Sequence, residues 1–198
     1  MLENLHILLG VTGGIAAYKA VDLASKRTAA GAAVRTIMTD NASRFVTARS
    51  FEAVTREPVF TTLWSAAEEF RSAHISLADW SQIVVVAPAT ANIIGKVASG
   101  VCDDLLSTTL CVCWQTPTLY APAMNNRMWE NPTTQHNVEI LKQAGAQIVG
   151  PNIGRLACRT EGIGRMAEPT EIIEAIEAIA VKAGLCHPEQ SEGSGPQT

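Results

Sequence analysis

Short apolar runs rich in β-branched residues alternate along the chain with longer segments in which apolar positions recur every three to four residues. Runs of the first kind read as strands buried on both faces, and those of the second as helices that bury one stripe. Strands are expected at His6 to Val11, Ala33 to Met38, Gln82 to Ala87, Thr118 to Ala121 and Gln147 to Val149. Helices are expected at Ile15 to Ala30, Ser43 to Thr55, Ala91 to Cys111, Thr134 to Ala144 and Thr170 to Ala183. Gly31 and Gly145 stand where helix C-termini favour a left-handed residue. The alternation predicts βαβ units stacked around a mostly parallel sheet.

Polar residues cluster where these strands end, which is where open α/β sheets bind ligands. The first strand runs into Thr12-Gly13-Gly14-Ile15-Ala16-Ala17-Tyr18-Lys19, a glycine turn that opens a helix and exposes backbone N–H groups to a phosphate or an electron-rich ring. The spacing is not Gly-x-Gly-x-x-Gly, so the dinucleotide fingerprint fails, although Asp40 after the second strand can imitate a ribose acceptor. Thr39-Asp40-Asn41-Ala42-Ser43 and Pro88-Ala89-Thr90-Ala91-Asn92 supply two further polar strand ends. Three such loops on one sheet edge resemble a cradle for a mononucleotide. The strand from Thr118 delivers Pro122-Ala123-Met124-Asn125-Asn126-Arg127-Met128-Trp129 to the same kind of edge. Two more stretches, His74-Ile75-Ser76-Leu77 and Leu156 to Met166, add an imidazole and the Cys158 thiol to the Asn125 amide.

Composition narrows the classes. A chain of 198 residues, 47% hydrophobic and 17% charged, suits one well-buried domain. A formal charge of −4 gives no long-range pull toward nucleic acid or an anionic membrane. An anionic ligand must therefore be held by local cations and helix N-termini. The five cysteines are odd in number and none is spaced as Cys-x-x-Cys, so neither a disulfide framework nor a structural metal is expected. No apolar run approaches the roughly 20 residues of a membrane span, and no signal-type leader is evident, so a cytoplasmic location is expected. Residues 184–198 read as a disordered polar tail after a domain covering 1–183.

Taken together, Gly13 to Lys19, His74-Ile75-x-Leu77, Pro88 to Asn92, Asp103-Asp104-Leu105-Leu106-Ser107-Thr108 and Pro122 to Trp129 resemble the homo-oligomeric flavin-containing cysteine decarboxylases. Within that family, Ala157-Cys158-x-x-x-Gly162-x-Gly164-Arg165-Met166-Ala167-Glu168-Pro169 is similar to the bacterial phosphopantothenoylcysteine decarboxylases. The resemblance runs from about Asn4 to about Ala180. It implies an α/β fold of the Rossmann-like/flavodoxin-like kind, a three-layer sandwich with a mostly parallel sheet. It also implies bound FMN, and redox-neutral decarboxylation of 4'-phospho-N-pantothenoyl-cysteine to 4'-phosphopantetheine. In that chemistry the substrate thiol is oxidised to a thioaldehyde, whose thiocarbonyl accepts the electrons left when carbon dioxide departs.

Carried over by motif position, His74 is the expected base or carboxylate-positioning group, Asn125 the carboxylate holder and Cys158 the proton donor to the enethiol intermediate. The side chains suit these roles: imidazole titrates near neutrality, an amide binds a carboxylate without adding charge, and an ordinary thiol is mostly protonated at pH 7. The resemblance assigns flavin contacts to Gly13, Gly14, Thr39, Asn41, Ser43, Thr90, Ala91, Asn92 and Ala123. It assigns substrate contacts to Met124, Asn125, Met128, Ala157 and Arg159. Arg159 stands where bacterial relatives commonly carry Gly, and Ile93 where a polar residue is frequent. The family assembles as trimers or as a dodecamer of trimers with sites at subunit contacts, and works beside a phosphopantothenoylcysteine synthetase, so a homotrimer-based assembly and that partner are expected. The competing readings are a peptidyl-cysteine decarboxylase of lantibiotic-type maturation and a regulatory flavoprotein without catalysis; NAD-dependent oxidoreduction is disfavoured by the failed fingerprint.

Overall fold

The computed structural model describes residues 4–64, 72–155, 157 and 161–185. Six strands form a parallel sheet: β1 (His6–Val11), β2 (Ala33–Met38), β3 (Val59–Phe60), β4 (Ile83–Ala89), β5 (Thr118–Pro122) and β6 (Gln147–Ile148). Their spatial order is β3-β2-β1-β4-β5-β6, so the chain winds outward in one direction from β1 and, after β3, in the other from β4. That reversal makes the β1/β4 boundary a topological switch point, and the crevice beyond its strand ends is the expected ligand site.

Period-two alternation divides the strand side chains between two cores. Ile7, Leu9 and Val11 of β1 and Ile83, Val85 and Ala87 of β4 face one side. That side is covered by α1 (Ala17–Ala29), α2 (Ala48–Thr55) and α8 (Pro169–Lys182), which contribute Leu23, Phe51 and Ile176. Leu8, Val84 and Val86 face the other, under α3 (Ala73–Trp80), α4 (Ala91–Ala98), α5 (Leu105–Val112) and α7 (Pro132–Gln143). All seven residues of β4 are buried, which fits a central strand with helices on both faces. Each large side chain so buried contributes roughly 1.5–3 kcal/mol relative to exposure. The three layers and parallel sheet match the expected architecture.

Element boundaries differ from the sequence reading in informative places. β1 and β2 begin and end where expected, and Gly31 and Gly145 take positive φ values of 88° and 94° after α1 and α7. The helix expected over Ala91 to Cys111 is two helices, separated by Gly100 at φ 70° and restarted by Asp104. The Asp104 carboxylate accepts the Ser107 N–H at 2.8 Å while the Ser107 hydroxyl accepts the Asp104 N–H at 3.2 Å, a capping box. The segment from Ser43 similarly divides into a 3₁₀ turn (Ala42–Arg44) and α2. Missing from the sequence reading are the edge strand β3, α3, a short helix α6 (Asn126–Trp129), and an antiparallel hairpin of β7 (Asn152–Arg155) and β8 (Glu161–Arg165). The expected tail lies largely outside the described residues, which reach Leu185.

Candidate functional site

The crevice at the switch point is built by buried polar groups that lock neighbouring loops together. Thr12, 3% exposed, donates its hydroxyl to the Pro88 carbonyl at 2.7 Å and accepts the Thr90 N–H at 3.2 Å. The ends of β1 and β4 are thereby fixed relative to each other. The loop after β2 is tied in by the Thr39 N–H, which donates to the Val11 carbonyl at 3.1 Å. Gly13 allows this loop to come close: a Cβ at that position would lie 2.4 Å from the Asn41 Cβ.

These loops enclose a cavity of 530 Å³ lined by Thr12, Gly13, Thr39, Asn41, Thr90 and Asn92. Lys96, Asp103 and Asp104 form part of its wall. The Lys96 ammonium lies 2.6 Å from an oxygen of each carboxylate. Burial opposes the charge on Lys96, but the hydrogen bonds it donates to Asp103 and Asp104, with their negative charges, outweigh it and raise the Lys96 pKa. Burial likewise pushes Asp104 upward, yet Lys96 and the Ser107 N–H hold it below the ordinary carboxylate range.

A second cavity, of 850 Å³, shares Gly13, Thr90 and Met128 with the first and so adjoins it. Its wall includes Gly14, Ala123, Met124, Asn125 and Ala157. Asn125 sits there because β5 ends beside β4 and the chain turns at once into α6, which Asn125 caps: its Oδ1 accepts the Arg127 N–H at 2.9 Å. The hairpin closes one side. The Met124 N–H donates to the Gly164 carbonyl at 3.0 Å, and a Cβ at Gly164, whose φ is 146°, would lie 2.2 Å from the Met124 carbonyl oxygen. Glycine at 164 is thus what lets β8 dock on the Asn125 segment.

Among the expected flavin contacts, the structure brings Gly13, Gly14, Thr39, Asn41, Thr90, Asn92 and Ala123 to the two cavities. Ser43 and Ala91 line neither; the Ser43 hydroxyl donates to the Asp40 carbonyl at 2.6 Å and Ala91 opens α4. Of the expected substrate contacts, Met124, Asn125, Met128 and Ala157 line the larger cavity, whereas Arg159 lies outside the described residues. Cys158 also lies outside them, within the chain joining Arg155 to Glu161. His74 is half-buried on α3, which packs on α5, and lines neither cavity of its own chain. Ile93 is 1% exposed in the core beneath α4, where an apolar side chain is favoured.

Several contributors were not singled out from sequence: Thr12, the Lys96 cluster, and a charged group of Lys19, Arg155, Arg165 and Glu168 around the larger cavity. Thr12 had a signal, a hydroxyl at the end of an apolar run before a double glycine. Lys19 donates to Glu168 at 2.8 Å across 149 positions of sequence, a pairing no local pattern discloses. That contact, with desolvation opposing it, holds the Glu168 carboxyl below its ordinary range.

A doubly wound parallel sheet with a glycine turn, three polar strand ends and adjoining cavities at its switch point defines a nucleotide-cofactor-type α/β protein. The sequence profile of the Flavoprotein family matches residues 1–181, and the chain belongs to that family. Among curated proteins, the Coenzyme A biosynthesis bifunctional protein CoaBC of Bacillus subtilis is 45% identical over 177 residues, covering 89% of this chain and 43% of that protein. Its Escherichia coli counterpart is 44% identical over 173 residues, covering 87% and 42%. The chain therefore spans less than half the length of these relatives. Among solved structures, a cysteine-to-serine mutant of a PPC decarboxylase complexed with pantothenoylaminoethenethiol aligns with TM-score 0.79 at 31% identity, covering 89% of this chain and 98% of that one. The FMN-dependent cysteine decarboxylase SpaF aligns with TM-score 0.79 at 31% identity, covering 93% and 99%.

Proposed function

We propose that this protein binds FMN and catalyses the redox-neutral decarboxylation of 4'-phospho-N-pantothenoyl-cysteine to 4'-phosphopantetheine, a step of coenzyme A biosynthesis. The observation that carries the reading is the position of Asn125: it caps α6 on the wall of the larger cavity, beside the glycine cradle shared with the smaller one. The cradle suits FMN. Gly13 lets the loops after β1 and β2 close against each other, since a Cβ there would meet the Asn41 Cβ at 2.4 Å, and Thr39, Asn41, Thr90 and Asn92 offer neutral donors and acceptors for ring and phosphate edges. When bound, the flavin supplies reversible two-electron oxidation of the substrate thiol.

The residues of the chain orient and protonate. Asn125 holds the substrate carboxylate through amide N–H donors, so the carboxylate is positioned without a fixed cation that would resist its loss. His74 takes part as base or carboxylate-positioning group, and Cys158 delivers a proton to the enethiol carbon skeleton as the product thiol forms. Because His74 lines neither cavity of its own chain, the site is completed across a contact between protomers, in a trimer-based assembly. Ile15 and Tyr18, 61% and 60% exposed on the wall of the larger cavity, are apolar surface that such a contact would cover. A phosphopantothenoylcysteine synthetase is the partner reaction this reading calls for. No helix among the described residues is long and apolar enough to cross a membrane, and a cytoplasmic location fits the reading.

The test is anaerobic addition of phosphopantothenoylcysteine to the yellow holoprotein, followed by mass spectrometry. Loss of carbon dioxide with formation of phosphopantetheine is expected. The Cys158→Ser variant is expected to release carbon dioxide but accumulate the oxidised aminoethenethiol. Equal loss of decarboxylation and reduction would refute the role given to Cys158. An intact phosphopantothenoyl substrate, with turnover of a peptide ending in cysteine, would shift the reading to a peptidyl-cysteine decarboxylase.

A further inference from the structure

Cations gather on the wall of the larger cavity in a way that the decarboxylation steps leave unexplained. Lys19, Arg155 and Arg165 all line it, and Glu168 is the single carboxylate among the described lining residues. Glu168 is already engaged: its Oε1 lies 2.8 Å from the Lys19 ammonium and 3.3 Å from the Arg165 Nη2. One carboxylate among three cations leaves an excess of two positive charges on this wall, in a chain whose formal charge is −4. Arg155 forms no ion pair among the described residues, although Glu161 is opposite it in the β7–β8 register. Arg165 is preorganised: its guanidinium lies over Gly154, where an added Cβ would stand 3.4 Å from Nε and 3.5 Å from Cζ, and Glu168 holds its tip. Much of the remaining wall is apolar, with Ile15, Ala16, Met124, Met128 and Met166. An elongated, largely uncharged ligand ending in a dianion matches that distribution.

Building on the substrate class given above, we propose that Arg155 and Arg165 form a subsite for the terminal phosphate of the substrate. Guanidinium forks engage phosphate oxygens in pairs, and a phosphomonoester carries about −1.5 to −2 charges at neutral pH. Arg155 ends β7 opposite Glu161 and Arg165 ends β8 opposite Asn152, at the two ends of the hairpin ladder but on one cavity wall, so a phosphate held by both would span the two strands whose connection carries Cys158. Lys19, 12% exposed and committed to Glu168, sets the position of the carboxylate that holds Arg165.

The measurement is calorimetric binding of 4'-phosphopantothenate and of pantothenate to the flavin-loaded protein, in the wild type and in Arg155→Gln, Arg165→Gln and the double variant. Neither ligand carries the cysteine that reacts, so binding is read apart from catalysis. The wild type is expected to prefer the phosphorylated ligand, with each substitution lowering that preference about 10- to 100-fold, the loss of a charge-assisted hydrogen-bond pair. Pantothenate affinity and flavin content are expected to stay unchanged. Equal binding of the two ligands by the wild type, parallel loss of both in the variants, or loss of flavin would each overturn the subsite. An arginine-dependent phosphate preference in a protein that decarboxylates nothing would preserve the subsite and sink the proposed reaction instead.

Discussion

At the scale of single residues, the site depends on two adjacent glycines that do different things. A methyl at Gly13 would meet the Asn41 Cβ at 2.4 Å and its backbone carbon at 2.8 Å, whereas one at Gly14 would find Thr90 Cγ2 at 3.7 Å, an ordinary contact. Gly13→Ala must therefore push apart the loops after β1 and β2, and is expected to destabilise by about 1–3 kcal/mol, as overpacking does, and to purify with little bound flavin. Gly14→Ala is expected to keep its melting temperature. Visible absorbance per chain and thermal melts of both variants check this, and equal flavin content in the two would refute the distinction. The double glycine was visible in the sequence, but which glycine the packing requires was not, because Asn41 reaches it from another loop. Thr12 makes the same point: its partners, Pro88 and Thr90, lie 76 and 78 residues away. Asn125 was legible because its motif is local and its cap partner, Arg127, is two residues on.

At the scale of elements, long periodic segments were read well and short or glycine-rich ones were not. The central strands were legible because their apolar runs face helices on both sides, so burial and β-propensity agree. The hairpin was not: Gly154, Gly162 and Gly164 lower strand propensity, and the reason for them is contact with Arg165, Asn126 and Met124. The helix α3 escaped because it buries only Ala73, Leu77 and Ala78, a stripe too thin to mark a period. The break between α4 and α5 did carry its signal, a Ser99-Gly100 stop and an Asp104 start, which the apolar content on either side masked.

Asp104 makes that restart testable. Its carboxylate both caps α5 and pairs with Lys96, so Asp104→Ala is expected to cost about 1–2 kcal/mol, within the range of lost caps, while Asp104→Asn keeps the cap and loses the charge. A carboxyl held below its ordinary range in the folded protein stabilises at pH above the unfolded value, and that contribution vanishes as pH falls through the depressed folded value. The stability gap between wild type and Asp104→Asn should therefore be constant from neutrality down to the ordinary carboxyl range and close below it. Urea titrations over that interval decide the matter. A gap that persists at the acid end would mean that the charge on Asp104 is not its source.

At the scale of the whole molecule, the central question is why one chain separates residues that the proposed reaction needs together. Asn125 lines the larger cavity and His74 does not: α3 packs on α5, whereas α6 packs on β8 and α7. Apolar side chains crowd the cavity rim: Ile15, Tyr18 and Met128 are 61%, 60% and 48% exposed, an arrangement suited to a covering protomer. If the imidazole of one protomer serves the cavity of the next, inactive variants should complement each other. His74→Asn and Asn125→Asp homo-oligomers are each expected to show little turnover, the first through loss of the imidazole and the second through carboxylate repulsion. Dissociated and reassembled in equal amounts, they should regain roughly a quarter of wild-type activity, the share of sites that receive an intact side chain from each of two randomly chosen neighbours in a cyclic assembly. Reassembly of wild type alone fixes the scale, and analytical ultracentrifugation confirms that mixed oligomers form. Mixed oligomers that stay inactive would place both residues in one chain's site, and the separation seen between His74 and the cavity would then have to close by movement of α3 within the protomer.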